Sequence, residues 1–242
     1  MEKQNDFGQL RRYPVATTQE FITRFLDDIY TDVLPVYYRG LPDADYELLP
    51  SVGRQRRKDV CEYLNSEKRI LDEFKRRALP YLPTVPQSDF EWLFIAQHHG
   101  LPTRLLDWTT NPLVALYFAV ASCQAKHGCI YRVHQMPTIP DLSFFDPFHM
   151  GEPRAVVPPV IHQRFANQAG LFTVGNPFEP FTHESLRKVV IDAGFKEETV
   201  RWLRRMGITS SFLFPSLDSL AAELGELHGF STRVIPQDRP SA

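Results

Sequence analysis

Apolar positions along this chain switch between a helical and an extended spacing, and that alternation predicts its elements. In residues 17–30, TTQEFITRFLDDIY, Phe21, Phe25 and Ile29 recur four apart and predict a helix. Thr17 and Glu20 have capping-box spacing at its start. VLPVYYRG, 33–40, reads as a short buried strand ending in Arg39, and LPSVGRQRRKDV, 49–60, as a basic loop. SEKRILDEFKRRALPYL, 66–82, predicts an amphipathic helix with Ile70, Phe74 and Ala78 on its apolar face. SDFEWLFIAQHHG opens on a second capping-box pair, Ser88 and Glu91, and closes at Gly100, a glycine suited to a helix C-terminus.

LPTRLLDWT, 101–109, is extended and feeds a helix with Thr110 or Asn111 as N-cap and Pro112 in its first turn. GCIYRVH is a strand, and 137–159, rich in Pro and Phe, reads as a long loop. HQRFANQAGLFTV leads into another strand, SLRKVVIDA is a further one, and KEETVRWLRRMG is a helix closed by Gly207. A last helix starts near Leu217. Leu116, Phe118, Phe74 and Phe94 are expected in the core. Helices and strands alternate irregularly, with no repeat or separating linker, which predicts a single α+β domain with short mixed strands and peripheral helices.

Composition narrows the class. At 242 residues and 43% hydrophobic content the chain can bury a full core. A net charge of −2 argues against a broad basic face for duplex DNA. The longest apolar run is too short to span a membrane, and MEKQNDFGQLRRY lacks an apolar leader, so a cytoplasmic protein without membrane partners is expected. Cys61, Cys123 and Cys129 have no metal-type spacing and read as reduced thiols.

Polar residues inside the apolar run at 92–123 are the candidates for chemistry. Asp107, Thr109, Thr110 and Asn111 crowd the start of a helix, whose free N–H groups attract anions. The competing reading is a helix cap and an Arg–Asp pair, with Arg104 or another arginine. Arg39, followed by Gly40, can hold a phosphate or pair with Asp107. His98 and His99 end a helix, where the dipole favours them structurally, and no third metal ligand is spaced nearby. Arg164 and Gln168 lie four apart before Gly170 and would share a helix face or close a helix. No P-loop, G-x-G-x-x-G or G-x-S-x-G occurs.

YYRG at 37–40, QHHGLPTRLLDWTTNPLVALYFA at 97–119, PPVIHQRFANQAGLFTV at 158–174 and GITSSFLFPSLDSLAAEL at 207–224 resemble the FRG domain family, with Tyr38 in place of the family's Phe. The resemblance covers about residues 18–227, leaving 1–17 and 228–242 as tails. The element order is in turn similar to the ADP-ribosyltransferase fold. That likeness implies NAD as substrate, an unknown macromolecular acceptor, no metal, and an effector role as a toxin or in phage defence. It places Arg39, Gly40, Arg104, Thr109, Thr110 and Arg164 around the nucleotide, and Asp107, Gln168 and His98 at the chemistry. Gln168 falls near the usual catalytic Glu but carries no charge. The alternative is a non-catalytic module for a nucleotide or nucleic acid, for which the basic runs GRQRRK, 53–58, and RWLRR, 201–205, would speak.

Overall fold

The computed structural model describes residues 10–13, 15–30, 35–54, 60–159 and 163–230. Its strands are β1 (Leu10–Arg12), β2 (Val36–Leu41), β3 (Leu106–Thr109), β4 (Gly128–His134), β5 (Arg154–Val156), β6 (Gly170–Val174) and β7 (Arg187–Ile191). They form one sheet in the order β1-β7-β4-β2-β3-β6-β5. β1 runs parallel to β7, and the other neighbours are antiparallel. With the helices interspersed along the chain, this is a single α+β domain.

Local chemistry explains where helices begin. In α1 (Thr18–Tyr30) the Glu20 N–H donates to Thr17 Oγ1, and the Glu20 carboxylate accepts from the Ala16 N–H. α3 (Asp89–His98) repeats the pattern with Ser88, Glu91 and the Gln87 N–H. Both glutamates thus reach one residue farther out than a strict capping box. Asn111 caps α4 (Pro112–Val120), taking the Leu113 and Val114 N–H groups on Oδ1. Gly100 and Gly207 both hold the positive φ that ends a helix, +84° and +78°.

Two expectations shift. α2 (Val60–Ala78) starts earlier than the apolar pattern alone marks. Its buried face carries Glu67, Leu71 and Ala78, while Ile70 is exposed. An inward ion pair of Glu67, described below, sets that rotation. The Pro-rich stretch 137–159 contains single turns at Leu142–Phe144 and Pro147–His149 and ends in β5.

The helices cover one sheet face in two groups. α4 lies on β2, packed with α1 and α6 (Ala193–Arg205) around Phe21, Tyr38, Leu116 and Leu203. The approach is close: a Cβ on Gly40 would stand 1.8 Å from the Ala115 carbonyl oxygen. α2 and α3 lie over β6 and β5, where Phe94 stacks on Phe172 at 5.4 Å. Leu116 and Phe94 are fully buried, and Phe118 and Phe74 half-buried. The opposite face carries Tyr37, Leu41, Leu106 and Trp108. The fully buried Lys196 side chain donates to the carbonyls of Pro42, Ser122 and Cys123, just past the end of α4.

The two halves of the sheet meet at β2 and β3, which share a single register pair, Tyr38 with Thr109. β2 and β4 are paired over six residues, and β3 and β6 over four, so the join is the weak seam of the sheet. Beyond Tyr38 the two strands part.

Candidate functional site

Where β2 and β3 part, the Asp107 carbonyl has no strand to pair with on that side. Arg39 takes the place of one. Its Nη1 donates to the Asp107 carbonyl oxygen at 2.5 Å and lies 3.4 Å from Asp107 Oδ2. Alternation along β2 puts Arg39 on the Tyr37 and Leu41 face, and Asp107 faces the other way, beside Phe172. The contact therefore crosses the sheet through the gap.

The two partners differ in surroundings. The Arg39 side chain is 11% exposed, and its buried Nε has no hydrogen-bond partner among the described residues. Burial lowers its pKa, opposed by the Asp107 charge, and the Arg54 charge lowers it further. The Asp107 side chain is 55% exposed. Gln97 Nε2 donates to both of its carboxylate oxygens at 3.1 Å, and Gln97 Oε1 accepts from Thr103 Oγ1 at 2.6 Å. The last turn of α3 thus orients the carboxylate from one side and Arg39 from the other.

A cavity of about 950 Å³ opens along this gap. Arg39, Gly40, Asp107, Thr109, Arg164 and Gln168 all line it, so six of the nine residues singled out from the sequence share one space. Tyr38, Tyr46, Trp108, Phe118 and Phe214 supply aromatic wall, and Asp45, Glu47 and Arg54 add charge from the segment after β2. Arg164, on α5 (Gln163–Gln168), lies over the Phe214 ring at 4.7 Å. Burial lowers its pKa, and the Asp107 charge partly restores it.

Several of these groups are already engaged. Thr109 Oγ1 donates to the Gln168 carbonyl and accepts from the Asn111 N–H. Gln168 Nε2 donates to the Leu213 carbonyl at 2.9 Å. The Thr110 N–H donates to the Ala169 carbonyl. With Leu113 and Val114 held by Asn111, the N-terminal donors of α4 expected to meet an anion are spent on the fold. Gly40, besides bordering the cavity, is required for the contact with α4.

Arg104, Thr110 and His98 do not border the cavity. Arg104 points elsewhere: Nε and Nη2 bind the two Glu67 carboxylate oxygens at 2.9 and 2.5 Å, and Nη1 donates to the Pro147 carbonyl. Phe148 covers the guanidinium at 4.6 Å. Both charged side chains are 2% exposed, so this is a scaffold ion pair tying α2 to the approach to β3. Thr110 is exposed. His98 packs edge-on against His99 and beside Phe165. Among the described residues no cluster of metal-type side chains occurs.

Two positions not singled out from the sequence also serve the cavity: Gln97, at the head of QHHG, and Arg54, inside the basic run GRQRRK that spoke for a non-catalytic module.

The FRG domain family model matches residues 35–128. That stretch contains β2, β3, α4, Arg39, Arg54, Gln97 and Asp107, whereas Arg164 and Gln168 lie beyond it. No curated protein and no solved structure matches the chain.

Proposed function

We propose that the chain is an enzyme that uses NAD in the manner of an ADP-ribosyltransferase, transferring ADP-ribose to a macromolecular acceptor or, with water as acceptor, hydrolysing NAD. The observation that carries this reading is the gap between β2 and β3, which brings Arg39 and Asp107 to the wall of one cavity large enough for a dinucleotide. In the reaction the bond between ribose C1′ and the nicotinamide nitrogen breaks. The bonding pair leaves with nicotinamide, which departs neutral, and positive charge develops on the ribose. A nucleophile then bonds to C1′ and gives up its proton. Asp107 is the carboxylate that faces the developing charge, held by Gln97 and Arg39. Gln168, with its amide on the Leu213 carbonyl, shapes the wall.

The test is to incubate the protein with NAD, follow nicotinamide release, and repeat with Arg39→Ala. Release by the native protein that the substitution abolishes supports the enzyme. Saturable binding without release supports a non-catalytic nucleotide module, the reading that the uncharged Gln168 favours. A nucleic-acid module draws less support. Arg201 and Arg204 pair with Glu197 and Glu226, and residues 55–58 of the other basic run lie outside the described residues. Among the described residues no helix is long and apolar enough to cross a membrane. A cytoplasmic site of action, as a toxin or a phage-defence effector, belongs to this same proposal.

A further inference from the structure

We propose that Arg39 and Arg54 together form a subsite for a diphosphate, so that the cavity selects ligands by a P–O–P bridge rather than by a nucleoside alone. The inference rests on the nucleotide reading of the cavity and names the part of the ligand that the protein grips.

Four observations support it. Both arginines line the same cavity, and the Arg54 charge is among those that lower the Arg39 pKa. Asp107 answers only part of that charge, lying 3.4 Å from one Arg39 nitrogen and being itself 55% exposed. The buried Arg39 Nε has no hydrogen-bond partner among the described residues. Among the described residues Arg54 has no ion-pair partner, and its one hydrogen bond runs from Nε to the Leu49 carbonyl at 3.2 Å. Like charges gathered at a cavity wall repel, and an anion with two charged groups relieves the repulsion.

The backbone under Arg54 is built to hold it. The turn Ser51–Arg54 is tied to the residue ahead of Arg104: Ser51 Oγ accepts from the Thr103 N–H, and the Val52 N–H donates to the Thr103 carbonyl. Gly53 is pressed so closely to the Pro177 carbonyl that a Cβ there would stand 1.7 Å from its oxygen. Thr103 also binds Gln97, which holds Asp107. Arg54 and Asp107 are therefore referenced to one another through Thr103.

The lining also limits the charge that fits. Among the described lining residues, Asp45, Glu47 and Asp107 stand beside Arg39, Arg54 and Arg164. A diphosphate diester with one negative charge per phosphate suits such a wall. A triphosphate brings more negative charge to the exposed Asp45 and is disfavoured.

The experiment is titration calorimetry with ADP-ribose, AMP and adenosine as probes, on the native chain, Arg54→Gln and Arg54→Lys. The expected result is that ADP-ribose binds the native protein most tightly and adenosine at least tenfold more weakly. Arg54→Gln should weaken ADP-ribose about 10–100-fold, the range for a lost charge-assisted hydrogen bond, and leave it close to AMP. Arg54→Lys should restore part of the loss. A melting curve on each variant establishes that it is folded; Arg54 is exposed, and its turn is held by backbone contacts. The inference is overturned if ADP-ribose fails to bind at millimolar concentration, if adenosine binds as well as ADP-ribose, or if folded Arg54→Gln keeps native affinity. Its failure is distinct from that of the enzyme reading. Arg54-dependent binding without nicotinamide release leaves the subsite standing and removes the transferase. Nicotinamide release with an unchanged KM in Arg54→Gln does the reverse.

Discussion

Replacing Arg104 with methionine separates scaffold from site more sharply than any other change, because the likeness to the ADP-ribosyltransferase fold places this arginine at a nucleotide. In the structure its guanidinium binds both Glu67 oxygens and the Pro147 carbonyl, and neither charged side chain is more than 2% exposed. Arg104→Met keeps the bulk but leaves a buried carboxylate without its counter-charge, which costs about 3–5 kcal/mol. In a chain of this size each kcal/mol moves the melting temperature by about 2–4 °C, so a fall of roughly 6–20 °C is expected. Because the penalty is mainly the stranded charge, Arg104→Met with Glu67→Leu should recover most of it, a coupling of about 2–4 kcal/mol in a double-mutant cycle. The assay is thermal or urea unfolding of the four proteins, followed by ADP-ribose titration of those that fold. Affinity should be unchanged in the double variant, since Arg104 does not border the cavity. A single variant that melts within 2 °C of the native chain, a double variant no more stable than the single, or a folded double variant that has lost the ligand would refute the reasoning.

Other predictions follow from the same geometry. Gly40→Ala drives a methyl group into the Ala115 carbonyl, so β2 and α4 must separate; a loss of at least about 3 kcal/mol in urea unfolding is expected. Gln97→Leu removes both amide contacts from Asp107 and the acceptor of the buried Thr103 hydroxyl; turnover of NAD should drop about tenfold or more in a protein that still folds, with a melting temperature lower by about 2–12 °C, and an unchanged rate would show that Asp107 needs no such hold. Burial pushes the Cys129 thiol from its ordinary 9.0 up to about 11, against the pull of Lys188. A raised folded pKa means stability that is full below pH 9 and lost as pH rises toward 11, by roughly 3 kcal/mol in all. Cys129→Ala should flatten that part of the stability curve, and native Cys129 should resist iodoacetamide at pH 8 while the exposed Cys123 reacts.

How much of this was legible in the sequence depends on whether the signal was local. The caps at Ser88 and Asn111 and the glycines at 100 and 207 are read from two to four neighbouring residues, and the structure uses them. Pairings between distant segments left no such trace. The strand Leu10–Arg12 is too short to alternate visibly, lies in a stretch read as a tail, and exists because β7 offers it a parallel edge. β5 hides among prolines. Arg104 and Glu67 are 37 residues apart, and each alone reads as a surface or ligand charge. Arg39 and Asp107 stood out as charged residues in apolar runs; the structure sets them within β2 and β3 rather than at element ends, and the parting of the two strands is what opens the cavity beside them. Arg54 was not legible, because a basic run looks the same whether it is solvated or anchored by a turn.

The most direct test of the account is nicotinamide release from NAD by the native chain and by Asp107→Asn. The substitution keeps shape and removes the charge from a half-exposed carboxylate, so folding should be nearly untouched. The account predicts release by the native protein and a rate about 10²–10³ lower in the variant, with melting temperatures within a few degrees. No release by the native protein above a protein-free control, or a folded Asp107→Asn that releases nicotinamide at the native rate, would contradict it.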